Sequence, residues 1–240
     1  MFLLPGIFQV AGPSVSHHYD ATAYLLPIKD ELVLIDCGTP LGYEKVLANI
    51  RSLGFDPRRI TRIYATHGHY DHIGAAGLFR RDFGTALLVH GDDAPQVERG
   101  DAVLTSASLL YGETAERIAV QQHISDMDCF SCDAGEISIW HTPGHSRGSC
   151  CFVLSHKTGV RLLVAGDTLH GGFSALVGSD EALWRKSLAR IGKEHFDYYT
   201  FGHCSPQLLC DADTRIAVLI RSFANYYSPW FKVFNLNEPY

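Results

Sequence analysis

Short apolar runs recur along the chain, and most of them end at a glycine or proline. Runs of this length, rich in Val, Ile, Leu and aromatic residues, predict strands over 7–10, 21–28, 31–36, 60–65, 85–90, 137–141, 149–154, 160–165 and 198–201. Apolar residues three and four apart predict helices over 43–53, 72–83, 181–191 and 211–223. The stretch 92–111 is interrupted by Pro95 and Gly100, so we expect helix or loop there.

The order of these elements indicates the fold class. Strands, helices and strands again in two halves predict two packed sheets with helices outside them, an α/β (α+β) arrangement. With 240 residues and 46% hydrophobic content, the chain can bury one sizeable core. We therefore expect a single domain over 1–240.

The segment 66–72 reads Thr-His-Gly-His-Tyr-Asp-His and follows the predicted strand 60–65. Three histidines and a carboxylate are metal-ligand groups, but strand alternation followed by a helical turn cannot direct all four at one ion. We expect His67 and His69 to face one ion, and Asp71 and His72 to face a second. Two sites need more than four ligands, so further ones must come from elsewhere in the chain.

Three later loops supply side chains of the same kind. His145 follows the strand 137–141 within Thr-Pro-Gly-His-Ser, Asp167 follows the strand 160–165 within Gly-Asp-Thr, and His203 follows the strand 198–201 after Gly202. Each apolar run ends at a glycine that permits a tight turn, with a ligand-type residue beside it. A single loop of this kind would be an ordinary turn or helix cap, but four together predict a metal centre.

These motifs, THGHYDH (66–72), HTPGHSRGS (141–149), GDT (166–168) and FGH (201–203), resemble those of the metallo-β-lactamase-fold hydrolases, in particular the glyoxalase II-like branch. The segment Leu34–Gly38 fits the same pattern, and the resemblance spans about residues 20 to 205. It implies a four-layer αββα sandwich with the metals at one edge of the sheets.

The resemblance also implies a ligand set and a mechanism. One ion would be bound by His67, His69 and His145, the other by Asp71, His72 and His203, and Asp167 would bridge them. Two divalent ions ~3.5–4 Å apart share a water and lower its pKa towards ~7, which makes a bridging hydroxide available for hydrolysis. Zinc is the expected metal, with iron or manganese as alternatives.

The expected reaction is hydrolysis of an ester, thioester or lactone of a small molecule. Asp71 would orient the hydroxide, and His170 would donate a hydrogen bond to the substrate carbonyl, where lactonases of the family have a nearby tyrosine. The Asp167 position disfavours β-lactams, because true β-lactamases of the fold lack that bridging aspartate. The Gly171–Ala175 segment and the 37 residues after His203 lack the glutathione-binding features of glyoxalase II, which disfavours glutathione thioesters.

Two other reactions remain open on the same scaffold. A mononuclear iron dioxygenase similar to persulfide dioxygenases would use His67, His145 and Asp167 as a face of two histidines and one carboxylate. A phosphodiesterase is the other alternative, although a nuclease would need insertions and a basic surface that the sequence lacks. A protein that only binds is disfavoured because all seven ligand positions are filled.

Composition and charge limit the binding partners and the cellular location that we expect. A net charge of -6 and a pI near 6.1 disfavour nucleic acid, which requires clustered Lys and Arg. No apolar run approaches the ~20 residues of a membrane span. Met1–Leu4 lacks basic residues and soon meets Pro5, which is not typical of a signal peptide, and seven cysteines favour the cytoplasm.

Several features have no assigned role. The C-terminal segment 223–240 is dense in aromatic residues and is expected to cover the cleft, the core or another subunit, which makes a homodimer one hypothesis. His17, His18 and Tyr19 lie on a loop that either borders the cleft or is simply exposed. Cys129 and Cys132 have the spacing of half a zinc site but are expected to be ordinary strand or turn residues, and Cys204 is expected to pack.

Overall fold

The computed structural model describes residues 1–203 and 208–224, and its strands form two sheets. The seven-stranded sheet runs in chain order and contains β1 (Phe2–Leu4), β2 (Ile7–Ala11), β3 (Ala23–Ile28), β4 (Glu31–Ile35), β5 (Ile60–Tyr64), β6 (Ala86–His90) and β7 (Gln122–Ile124). The five-stranded sheet has the order β12-β11-β10-β9-β8, from β8 (Cys129–Cys132), β9 (Gly135–His141), β10 (Cys150–His156), β11 (Arg161–Val164) and β12 (Tyr198–Thr200).

Helices follow the strands in both halves. They are α1 (Tyr43–Ser52), α2 (Tyr70–Ile73), α3 (Ala76–Phe83), α4 (Ala94–Arg99), α5 (Glu181–Ile191) and α6 (Ala212–Ala224), together with short turns at Pro57–Arg59, Ala107–Tyr111 and Ala175–Val177. Among the described residues, no helix combines the length and apolar character needed to cross a bilayer. The six described cysteines form no disulfide.

Three clusters of buried apolar residues fill the spaces between the helices and the two sheets. The first joins one face of the seven-stranded sheet to α1 and α3, for example Leu34 with Phe79. The second lies between the sheets and includes Val33 and Phe152. The third joins the outer face of the five-stranded sheet to α5 and α6, for example Val153 with Trp184. Because neighbouring strand residues point in opposite directions, each central strand contributes to two clusters. The result is the four-layer αββα sandwich.

The predicted helix over 72–83 is divided into α2 and α3. The carbonyl of Asp71 accepts the N–H of Ala21 at 3.1 Å, and that of His72 accepts the N–H of Cys37 at 2.8 Å. The N–H of Ala75 in turn donates to the carbonyl of Gly38 at 2.9 Å. These bonds to other segments replace the bonds that would continue the helix. They tie α2, which carries two of the predicted ligands, to the ends of the neighbouring strands.

Three strands lie where none was predicted, namely β1, β7 and β8. Each has only three or four residues, which is too short for an alternation of apolar and polar positions to be recognised. Cys129 and Cys132 lie on β8, as expected for strand cysteines, and residues three apart on a strand face opposite sides.

The aromatic segment 223–240 falls largely outside the described residues. Phe223 belongs to α6 and packs against Trp184, with ring centroids 5.5 Å apart. The residues from 225 onward and Cys204 are outside the described part, so their predicted roles stay predictions.

Candidate metal centre

The seven predicted ligands come from four loops that follow β5, β9, β11 and β12. Their side chains converge at one edge of the two sheets. Ligand atoms of His67, His69 and His145 lie within 4.8 Å of one another, and we call this group the histidine half-site. The same spacing holds for Asp71, His72 and His203, which we call the mixed half-site.

Asp167 lies between the two half-sites. Its Oδ2 is 3.4 Å from Nε2 of His145 and 3.1 Å from Nε2 of His203. Its Oδ1 is 3.3 Å from Nε2 of His72. A carboxylate that faces nitrogens from both groups can contact an ion in either of them.

Glycine allows the backbone after β12 to approach this carboxylate. A Cβ on Gly202 would lie 2.0 Å from Oδ1 of Asp167 and 2.9 Å from Cε1 of His72. Carbon and oxygen cannot approach so closely, so any larger residue would displace the ligands. The carbonyl of Gly202 is fixed by Thr22, whose hydroxyl donates to it at 2.6 Å.

Several ligand atoms are buried without a hydrogen bond from the described residues: Nε2 of His67, Nε2 of His72 and Oδ1 of Asp167. A buried polar atom left in this state costs roughly 1–3 kcal/mol. Imidazole nitrogens and carboxylate oxygens are the donors that zinc and similar divalent metals prefer. The residues present therefore fit a divalent metal centre.

The histidine half-site contains neutral imidazoles. Burial lowers the pKa of His67 and His69 well below the usual value, and the neighbouring histidines lower it further. Burial also lowers the pKa of His145, against the effect of Asp167. A neutral ring keeps a lone pair for a metal, so this group is in its ligating form at neutral pH.

The mixed half-site has the opposite electrostatics. Burial favours neutral His72, but the carboxylates of Asp71, Asp36 and Asp167 outweigh it and raise the pKa of His72 well above its usual value. His203 behaves similarly, because Asp167 raises its pKa against the effect of burial. The surrounding carboxylates therefore favour the protonated form of both rings.

Two aspartates that were not predicted as site residues fix the half-sites. Asp93 accepts the N–H of Gly68 at 2.9 Å, the hydroxyl of Ser146 at 2.7 Å and the N–H of Gly148 at 2.8 Å, and so joins the two loops of the histidine half-site. Asp36 lies 2.8 Å from Nδ1 of His72, which leaves Nε2 of that ring directed at the mixed half-site.

The sequence contained a signal for both aspartates. Each one follows a parallel strand of the seven-stranded sheet, β4 or β6, on either side of β5, and the ends of such strands meet at one edge. Asp36 also lies within the quoted segment Leu34–Gly38, although no role was given to it.

His170 lies apart from the groups of converging ligand atoms. Its Nε2 is 3.5 Å from the hydroxyl of Tyr199, and its ring packs 4.0 Å from that of Phe201. Burial lowers the pKa of His170 to about 4, so the imidazole is neutral and carries one N–H at neutral pH. His17 and His18 pack with Tyr19 in an aromatic group and belong to neither half-site.

A further group of ligand-type residues, His90, Asp92 and His141, forms where β6 and β9 end. The rings of His90 and His141 are stacked 3.7 Å apart with planes 12° from parallel. Stacked rings direct their lone pairs side by side, whereas a shared ion requires convergence. Nε2 of His141 also donates a hydrogen bond to the carbonyl of Arg147 at 2.9 Å, so this nitrogen has no lone pair available for a metal. This group is therefore a poor metal site.

Comparisons with known proteins agree with this fold. The human acyl-coenzyme A thioesterase MBLAC2 is 29% identical over 188 residues, which cover 70% of this chain and 64% of that protein. The atrochrysone carboxyl ACP thioesterase of Passalora fulva is 26% identical over 173 residues, covering 70% of this chain and 44% of that protein. BJP-1, a subclass B3 metallo-beta-lactamase of Bradyrhizobium japonicum, superposes with a TM-score of 0.76 at 18% identity, covering 94% of this chain and 90% of that one.

The family model of the metallo-beta-lactamase superfamily matches residues 19–203, a range that includes all seven converging ligands. The chain therefore belongs to the metallo-β-lactamase superfamily.

Proposed function

We propose that this protein is a dinuclear metal-dependent hydrolase that cleaves an ester, thioester or lactone bond of a small molecule. The supporting observation is the convergence of seven ligand-type side chains from four loops, with buried nitrogen and oxygen atoms that have no other hydrogen bond among the described residues. A centre that only stabilised the fold would not need two half-sites, one of which reaches the surface through His203.

His67, His69 and His145 would hold one ion, Asp71, His72 and His203 the other, and Asp167 would contact both. Zinc is the proposed metal, and iron and manganese have the same donors available. Divalent metals supply Lewis acidity and make hydroxide available near neutral pH, so a serine or cysteine nucleophile is not required.

The chain's own residues would orient the reactants. The Oδ2 atom of Asp71 lies 3.3 Å from Nε2 of His203. From there it can accept a hydrogen bond from the attacking water and so direct the lone pair of that water towards the substrate. Neutral His170 has one N–H to donate to the substrate carbonyl as negative charge develops there. Asp36 and Asp93 hold the ligand loops, so little reorganisation accompanies the reaction.

Among these bonds, the relatives favour a thioester. Two of them are named thioesterases, one for acyl-coenzyme A and one for an acyl carrier protein, although this chain spans only 64% and 44% of their lengths. The similarity to solved β-lactamases is below 25% identity and concerns the fold alone. The glyoxalase II-like branch, the single domain over 1–240, the homodimer and the cytoplasmic location remain predictions.

The test is an assay of the purified full chain against acyl-coenzyme A thioesters, lactones, phosphodiesters and β-lactams, with metal content measured in parallel. We expect two ions per chain and thiol release from the thioesters that a chelator abolishes and zinc restores. Asp167→Asn is the matched variant, because it keeps the shape of the side chain and removes its charge. One iron per chain, with oxygen consumption in place of hydrolysis, would instead support the dioxygenase alternative.

A further inference from the structure

The segment 171–179 packs against the side chain of His145 in the histidine half-site. Nδ1 of His145 lies 2.8 Å from the carbonyl oxygen of Gly172. Because a carbonyl oxygen can only accept a hydrogen bond, Nδ1 carries the proton and Nε2 keeps the lone pair. This Nε2 lies 2.9 Å from Nδ1 of His69, so it faces the other ligands of the half-site. The carbonyl of Gly172 thus determines which nitrogen of His145 can bind a metal.

Glycine at position 171 allows this close approach. A Cβ on Gly171 would lie 2.6 Å from Nδ1 of His145 and 2.7 Å from Cβ of Asp167, which leaves no room for a larger residue. The N–H of Gly171 also donates to the carbonyl of Asp167 at 2.7 Å. The start of the segment is therefore in direct contact with two of the predicted ligands.

Ser179 attaches the other end of the segment to the same histidine. Its hydroxyl donates to the main-chain carbonyl of His145 at 2.6 Å. The hydroxyl oxygen also accepts the N–H of Ser174 at 3.1 Å, and the N–H of Ser179 donates to the carbonyl of Ser174 at 3.1 Å. These bonds close residues 174–179 into a compact turn. The ring of His145 is thus bonded to the start of the segment, and its main chain is bonded to the end.

We propose that Ser179 is a positioning residue of the histidine half-site, whose hydroxyl holds the segment 171–179 where Gly172 can orient the ring of His145. Loss of a group that orients a metal ligand typically lowers metal affinity or activity by about 10–100-fold. The effect should lie at the low end, because the N–H of Asp180 still donates to the carbonyl of Gly144 at 2.8 Å. The effect on metal affinity rests on the proposed dinuclear site and is independent of the substrate.

The experiment is zinc titration of the metal-free full chain against a chromophoric chelator, with Ser179→Ala as the variant. We expect the dissociation constant of the tighter ion, assigned to the enclosed histidine half-site, to rise about tenfold and that of the weaker ion to change less than about twofold. In the metal-free chain, the Nδ1 proton of His145 should exchange with water about tenfold faster, as measured by NMR. This second measurement needs no metal. It tests the role of Ser179 even if the wild-type chain binds fewer than two ions, an outcome that would refute the dinuclear site alone.

Ser174→Ala is the matched control, because it removes a hydroxyl that accepts the N–H of Leu176 at 3.3 Å in the same segment and leaves the bonds of Ser179 in place. Its zinc constants and exchange rate should change less than about twofold. Ser179→Cys keeps a weaker donor and should give shifts between those of the wild type and Ser179→Ala. Equal shifts in Ser174→Ala and Ser179→Ala, or unchanged zinc constants and exchange rate in both Ser179 variants, would overturn the positioning role.

Discussion

The two half-sites of the candidate centre contain similar residues in different electrostatic states. The histidine half-site is fully enclosed, with His67, His69 and His145 each at most 5% exposed, and burial keeps its rings neutral. The mixed half-site opens towards solvent through His203, whose side chain is 39% exposed, and its histidines pair with carboxylates. We infer that the histidine half-site is preorganised for a metal and binds the tighter ion. The mixed half-site must lose protons when it binds the weaker ion.

The largest difference in activity is expected between variants that lack one ligand of the histidine half-site or one ligand of the mixed half-site. His67→Ala should eliminate the tighter ion and lower activity at least about thousandfold, equivalent to about 4 kcal/mol of lost transition-state stabilisation. His203→Ala should retain that ion and lower activity about 10–100-fold, because this exposed ligand can be replaced by water. Metal content and kcat/KM of the two variants check this, and equal losses would remove the distinction between the half-sites.

The next largest effect on metal binding is expected at Gly202, which lies beside Asp167 between the two half-sites. Gly202→Ala would place a Cβ 2.0 Å from Oδ1 of Asp167, so we expect binding of both ions to weaken and activity to fall about 100-fold. Gly91→Ala is the control, since a Cβ there would be 3.7 Å from its nearest neighbour. A Gly202→Ala variant with normal metal content would contradict this packing.

Substitutions of the two buried aspartates should affect the two half-sites independently. Asp93→Asn disturbs the loops of the histidine half-site, and Asp36→Asn disturbs the orientation of His72. Each variant should weaken one ion about 10–100-fold. The tighter ion should respond to Asp93→Asn and the weaker ion to Asp36→Asn, as measured by chelator competition. The reverse pattern would mean that the half-sites are assigned in the wrong order of affinity.

The pH dependence of metal binding should also differ. The neighbouring carboxylates raise the pKa of His72 and of His203 above the usual imidazole value of about 6.5, so a metal must displace protons from these rings above that pH. Affinity for the weaker ion should therefore rise up to about tenfold per pH unit for each displaced proton as pH increases above 6.5. Affinity for the tighter ion should stay nearly flat in that range, because its ligands carry no extra proton. Titrations at pH 6.5, 7.5 and 8.5 check the contrast.

The smallest effect should come from a residue outside both half-sites. His170→Ala should lower kcat several-fold, up to about tenfold, through the loss of one neutral hydrogen bond to the substrate carbonyl, and both ions should remain bound. An unaltered kcat with unchanged metal content would remove His170 from the mechanism.

Much of the fold and the site could be predicted because the relevant signals are local. Strands such as β5, β9 and β11 are apolar runs that end close to glycine, and the seven ligand residues lie in the loops that follow β5, β9, β11 and β12. By contrast, the strand before Asp93 predicts only the sheet edge at which this residue lies. Its hydrogen bonds to Gly68 and Ser146, which are distant in sequence, are not encoded by any local pattern.

The break between α2 and α3 illustrates the same limit. Gly74 and Ala75 fit a continuous helical pattern, but the carbonyls of Asp71 and His72 are bonded to Ala21 and Cys37. Tertiary hydrogen bonds therefore override the local preference.

The anchoring of α2 by main-chain bonds has a consequence for how this scaffold diversifies. Two of the ligands are carried by a single helical turn whose carbonyls bond to backbone groups next to the strands, so apart from Asp36 the side chains of the surrounding loops do not have to support it. Insertions or substitutions in those loops can then alter which molecules enter while the reactive centre keeps its geometry. Selection can act on substrate range and on catalytic power almost separately in such a protein.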